Sequence, residues 1–312
     1  MKTLFVVVFC ILAKLIYAQD NAPDKNKMLQ EAIALQNDGK ITESNKIFSA
    51  LYAMHYMTDY VCYNMASNYY RLKDYKRAER FANEAASDGS EYILQATLVK
   101  AACLDVNNQK DKALDLLIEV ARKFKNKATP TLHLRIAYCN NEKQLYIHAF
   151  LAYYMCLFMQ HQTHGAQLVG IINQIMNTHD VNNIIDEKTA LDSKLTKEDS
   201  NLIWAMLFLK ELTPCNVNQD SKLPNMEIFV ENSKSLLTNI CESIDEKNGF
   251  YEEYYVNFFD KILKDNMIDE YLYFVLNAQY DDIQEYIPNM TRDRLIHFAD
   301  WLQKYFENNE LE

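Results

Sequence analysis

Histidines, paired acids and tyrosines are the residues of this chain whose spacing could support chemistry. His161 and His164 stand three apart, close enough on a helix to share a metal ion, but no Cys or acidic third ligand lies beside them. The run from Asp105 to Asp111 has the oxygen-rich look of a calcium loop, yet it lacks that loop's glycine and terminal glutamate. Acid pairs such as Glu252-Glu253 and Asp281-Asp282 are adjacent in sequence, which sends their carboxylates to neighbouring sides of a helix rather than across a cleft. No glycine-rich phosphate loop, GxSxG or HExxH motif occurs. The expectation is therefore no catalytic site, no metal and no cofactor. Tyrosine is the more informative type, with 21 in the chain, and two groups stand out: one at Tyr60, Tyr63 and Tyr70, another at Tyr251, Tyr254 and Tyr255.

These side chains must be carried by helices. The 312 residues include only 5 Gly and 5 Pro, too few for the frequent turns of a strand-rich fold. About half of the chain is hydrophobic, enough for a large core. The formal net charge of −11 repels nucleic acid and anionic lipid, and no basic stripe counters it.

Residues 1–18 read as a secretory signal. Lys2 supplies the positive end, 4–13 form an apolar run, and Ala18 closes a small-residue cleavage site. That run is far shorter than the ~20 apolar residues of a spanning helix. Cleavage removes Lys2 and Lys14 and takes the charge from −11 to −13. The expected product is exported: periplasmic, envelope-associated or extracellular, with no membrane insertion. Six of the seven cysteines remain, none in a CxxC pair, and free buried thiols are the expected state.

The organisation comes from an internal echo. Gly39-Lys40-Ile41-Thr42-Glu43-Ser44, with Phe48 and Leu51 behind it, returns 34 places later as Lys73-Asp74-Tyr75-Lys76-Arg77-Ala78, with Ala82 and Ala85 in the matching slots. Such a period marks a helix–turn–helix unit stacked on itself. Small residues recur where paired helices touch: Ala32, Ala66, Ala101 and Ala137 on first helices, Ala78, Ala113 and Ala149 on second ones. This pattern resembles the tetratricopeptide repeat family. Four units are assigned, at about 25–58, 59–93, 94–129 and 130–160, with start-to-start spacing drifting from 34 to 35 to 36. The family's aromatic at the fourth place is replaced by Met28, Cys62, Thr97 and His133, so the match is incomplete.

The resemblance implies an all-α superhelix whose first helices line a concave surface. Its face positions fall on Tyr60, Tyr63, Ser67 and Tyr70 in the second unit, Leu98 and Asp105 in the third, and Leu134, Tyr138 and Asn141 in the fourth. A protein or peptide is the expected partner, and non-enzymatic scaffolding the expected function. The charged clamp used by relatives that hold a C-terminal carboxylate is missing: Leu29, Ile33, Gln95 and Val99 occupy its places, and only Asn64 matches. Export together with this composition is similar to secreted repeat proteins of bacteria such as the Bacteroidetes.

Past the repeats, 161–180 are expected to hold a capping helix at 167–176, 181–200 a polar linker, and 201–308 a helical region. There, Tyr251, Tyr254, Tyr255, Phe258 and Phe259 form a stripe, and Thr291 opens the last helix. Three alternatives stay open: internal filling of the groove by C-terminal helices, glycan binding in the cell envelope, and an enzyme with a cryptic C-terminal site.

Overall fold

A computed structural model describes residues 24–124, 129–177, 212–217, 223–244 and 249–309. The expected signal at 1–18, the linker at 181–200 and the first part of the helical region expected from 201 lie outside the described residues. Among those described the chain is all-helical, with thirteen α-helices and no strand beyond one isolated bridge between Val217 and Pro224. No helix among them is long and apolar enough to cross a membrane. The helices fall into two compact units that meet in sequence between Asn108 and Gln109.

The first unit holds α1 (Lys25–Asn37), α2 (Ile41–Ala53), α3 (Thr58–Arg71), α4 (Tyr75–Ala85) and α5 (Ile93–Val106). Each helix packs against its neighbour in sequence, and α3 also touches α5. The pairing depends on small side chains: Ala32, Ala66, Ala78 and Ala85 are all fully buried, so backbones approach closely and Phe48, Leu51 and Phe81 fill the gaps. Helix starts follow ordinary chemistry. The Asp24 carboxylate accepts from the Asn26 and Lys27 amides, and Asp74 accepts from Arg77 N–H. A buried polar network crosses three of these helices. Ser44 Oγ donates to the Ala32 carbonyl at 2.8 Å, and the Asn68 amide donates to Asn45 Oδ1 at 3.0 Å while accepting from Gln36 Nε2 at 3.0 Å. One fully buried carboxamide thus ties α1, α2 and α3 together.

The turns repeat as the helices do. Gly39 (φ 78°), Lys73 (φ 61°), Asn108 (φ 59°) and Gln144 (φ 63°) are all left-handed, at intervals of 34, 35 and 36 residues. At three of them the next amide reaches back across the turn: Lys40 N–H to the Leu35 carbonyl, Asp74 to Tyr69, Leu145 to Asn140, at 2.8, 2.9 and 2.9 Å. This is the paired bonding that ends a helix on a left-handed residue. Only Gly39 takes that conformation without a steric cost. The same closure recurs far downstream, where Asn266 has φ 57° and Met267 N–H donates to the Ile262 carbonyl at 2.8 Å.

The second unit contains α6 (Lys110–Phe124), α7 (Pro130–Glu142), α8 (Tyr146–Met176), α9 (Met226–Glu242), a π-helical turn (Glu252–Val256) leading into α10 (Asn257–Lys264), α11 (Ile268–Leu276), α12 (Ile283–Tyr286) and α13 (Arg292–Asn309). The helix expected at 167–176 is the second half of α8, which leaves helical geometry at Gln160 (φ −133°, ψ 22°). Gly165 lies in this half because a Cβ there would collide with the carboxamide of Gln279, which donates to the His161 carbonyl at 2.5 Å. Buried faces of α8, α10 and α11 build an aromatic core from Phe150, Tyr154, Phe258, Phe259 and Tyr271. Thr291 caps α13, its hydroxyl accepting from Arg294 N–H at 3.3 Å.

Two asparagines fasten the irregular segment 212–217. Asn232 of α9 accepts from Thr213 N–H and donates to its carbonyl, at 3.1 and 2.7 Å. Asn177, just past α8, does the same for Cys215 at 2.9 and 2.9 Å. A carboxamide matches a peptide group donor for acceptor, so the peptide groups of Thr213 and Cys215 are satisfied without a sheet.

Candidate functional site

Spacing by three and four on α3 sets Tyr60, Tyr63, Ser67 and Tyr70 along one stripe, and all four are half-buried. Met65, Ala66 and Cys62 on the other side of that helix are buried, which turns the stripe outward. On the neighbouring α5, Leu98 and Asp105 are likewise half-buried and two turns apart.

Tyr60 and Tyr63 are drawn together by a residue outside the face positions. The Tyr92 ring lies 5.2 Å from Tyr60, tilted by 52°, and 5.9 Å from Tyr63, within 12° of parallel. Tyr92 precedes the first turn of α5, so helical spacing gives no hint of it; its place two residues before the third repeat is the only sequence signal. Tyr92 thus packs on both rings and joins them into one cluster. A ligand would lie across the cluster. Burial, then the nearby Tyr60, raises the Tyr63 phenol, and the same two causes raise Tyr92. Both hydroxyls therefore stay neutral and can donate hydrogen bonds at physiological pH.

Tyr70 packs instead on Tyr75, with ring centroids 5.6 Å apart. Tyr75 lines a cavity of about 650 Å³ at the α3–α4 turn, together with Leu72, Lys73, Lys76 and Glu79. Leu72 is 45% exposed there. Asn64, the single match to the carboxylate clamp, is buried and donates to the Tyr60 carbonyl at 2.8 Å, so its amide is already used.

The remaining face residues belong to the second unit. On α7, Leu134 and Tyr138 are 39% and 42% exposed, and Asn141 is half-buried. The C-terminal tyrosine stripe docks on a different side of the same helix. Tyr255 OH lies 2.9 Å from His133 Nδ1, and the Asn140 carboxamide donates to Tyr251 OH at 2.8 Å while accepting from it at 3.0 Å. Packing against His133 and Asn140 buries that stripe and leaves Leu134 and Tyr138 at the surface. Burial alone lowers the His133 pKa from 6.5 to about 4, so the imidazole is neutral and Nδ1 can accept from the tyrosine.

The other chemistry-bearing residues are absorbed by structure. His161 packs its ring 4.4 Å from that of Phe274, while His164 is exposed. Glu270, nearly buried, accepts from Arg294 Nε at 2.7 Å. Asp281 and Asp282 are exposed. Among the described residues no group of three His, Cys, Asp or Glu is placed to hold a metal. All six described cysteines are buried free thiols, and burial pushes Cys62 to about 12 and Cys103 to about 11, far from the reactive thiolate range. No family model, curated protein or solved structure matches the chain.

Proposed function

We propose that the chain is an exported, non-enzymatic scaffold of the tetratricopeptide type that holds a peptide or protein segment against the tyrosine face of α3 and α5. The observation that carries this reading is the Tyr60–Tyr63–Tyr92 cluster, partly exposed and flanked by Ser67 and Leu98 on touching helices. Rigid aromatic surface with neutral hydroxyls loses little side-chain entropy on binding and offers both apolar area and hydrogen bonds. Support for the repeat reading comes from left-handed turns at 34, 35 and 36 residues and from buried alanines at the helix contacts. The matching turn at Asn266 favours a degenerate continuation of the same unit in the C-terminal helices.

Selection of peptides from a displayed library against the intact chain, and against a Tyr60→Ala/Tyr63→Ala variant of unchanged helicity, tests the proposal. Binders to the intact chain should lose ten-fold or more in affinity for the variant, since a central aromatic contributes about 2 kcal/mol or more at a binding surface. Equal affinity for both chains, or no selected binder at all, would remove this face as the site. Leu134 and Tyr138 on α7 serve as the second candidate surface, tested by the same selection with Tyr138→Ala.

A further inference from the structure

Five hydroxyls on the α3–α5 face of the first unit, those of Tyr60, Tyr63, Ser67, Tyr70 and Tyr92, have no hydrogen-bond partner among the described residues. Elsewhere in the unit tyrosine hydroxyls are engaged within the chain. Tyr52 OH donates to Glu84 at 2.7 Å, Tyr56 OH donates to Asn26, and Tyr69 OH accepts from Arg77 at 3.5 Å. We propose that the α3–α5 face takes a proline-rich segment in the polyproline II conformation. The assignment rests on the peptide-binding reading of this face and names the class of peptide.

Donor and acceptor balance selects the conformation. A hydroxyl covered by a ligand loses its water, and that loss is recovered only where the ligand brings an acceptor. A helical ligand has already used its carbonyls internally. An extended strand has free carbonyls but adds an N–H at every residue, and this unit, all-helical among the described residues, has no strand edge to receive it. Polyproline II turns every carbonyl outward and, at proline, carries no N–H at all.

Spacing agrees with that choice. Tyr63 and Tyr70 stand two turns apart on one helix, about 10.5 Å along its axis. One turn of polyproline II takes three residues and advances about 9.3 Å. Prolines three apart, on a segment lying along α3, therefore meet one ring each, with Ser67 between them. The electron-rich ring faces attract the weakly positive C–H groups of pyrrolidine.

Charge removes the main competitors. No lysine or arginine stands at the face positions of α3 and α5, although 24% of the chain is charged, and Asp105 is the one ion there. Arg71, next to Tyr70, donates to the Gln36 carbonyl at 3.3 Å. An acidic or phosphorylated segment would find no counter-charge on this face. Proline brings no charge, and its preset backbone loses little entropy on binding.

Fluorescence anisotropy of the full chain tests the assignment, with labelled octaproline, an alanine–serine octapeptide and a lactam-bridged helical octapeptide as probes. Octaproline should bind with a Kd on the order of 100 µM, and the other two at least about ten-fold more weakly. Tyr63→Phe and Tyr92→Phe keep each ring and remove one donor. Each should weaken octaproline by about five-fold, the worth of one net hydrogen bond, with helicity unchanged by circular dichroism. No binding at roughly ten times the expected Kd would overturn the proposal. So would equal affinity for the alanine–serine peptide, or unaltered affinity in both phenylalanine variants. If octaproline fails while displayed peptides still bind and lose affinity in Tyr60→Ala/Tyr63→Ala, the proline class alone falls. Failure of both ligands removes the face itself.

Discussion

Replacing His133 with glutamine should make the protein less sensitive to mild acid. In the folded chain burial holds the imidazole at about 4, against 6.5 when exposed, a depression of about 2.5 units. Between those values the unfolded chain binds the extra proton, so stability falls as pH falls from 6.5 towards 4 and is fully present above 6.5. The whole shift corresponds to roughly 3 kcal/mol, of which about 2 kcal/mol is lost between pH 7.5 and pH 5. Protonation also removes the Nδ1 acceptor that faces Tyr255 OH at 2.9 Å; that phenol is itself held unionised by burial and cannot offer a counter-charge. Urea unfolding followed by circular dichroism at both pH values, for the parent and His133→Gln, isolates this contribution because other titrating groups are common to both chains. The parent should lose about 2 kcal/mol more than the variant. Equal losses would refute the assignment of a buried neutral imidazole, as would an NMR titration placing His133 near 6.5.

Turn and clamp residues give two further tests. Gln144 is exposed and left-handed, so Gln144→Gly should stabilise the second unit by about 1 kcal/mol, whereas Gly39→Ala should destabilise the first by a similar amount; denaturant midpoints that move the other way would contradict the turn assignment. Asn232→Ala removes both bonds to Thr213, an exposed residue whose peptide group water can then reach, at a cost of about 1 kcal/mol. Amide exchange at Thr213 should then accelerate by more than ten-fold, and an unchanged rate would show that the carboxamide is not what holds the segment.

Much of the helical arrangement was legible from residue types alone. Alanines at Ala32, Ala66 and Ala137 mark helix contacts because only a short side chain permits that approach, and all three are fully buried. Gly39 announces a left-handed turn; Lys73, Asn108 and Gln144 do not, and only their register betrays the same conformation. At the candidate surface, helical spacing groups Tyr60 with Tyr63 but is blind to Tyr92, whose ring joins them from the start of another helix.

Periodicity is local information, carried by residues three or four apart, and it determined that this chain would be helical and where its small-residue contacts would fall. Partnerships across long separations were decided only in three dimensions. His133 meets Tyr255 over 122 residues, Asn140 meets Tyr251 over 111, and Trp301 reaches Asp265 over 36. In the first two cases a buried polar group needed a partner, and several residues of the right type were available along the chain. Packing of the helices selected among them, because only the folded arrangement brings one candidate within hydrogen-bond distance.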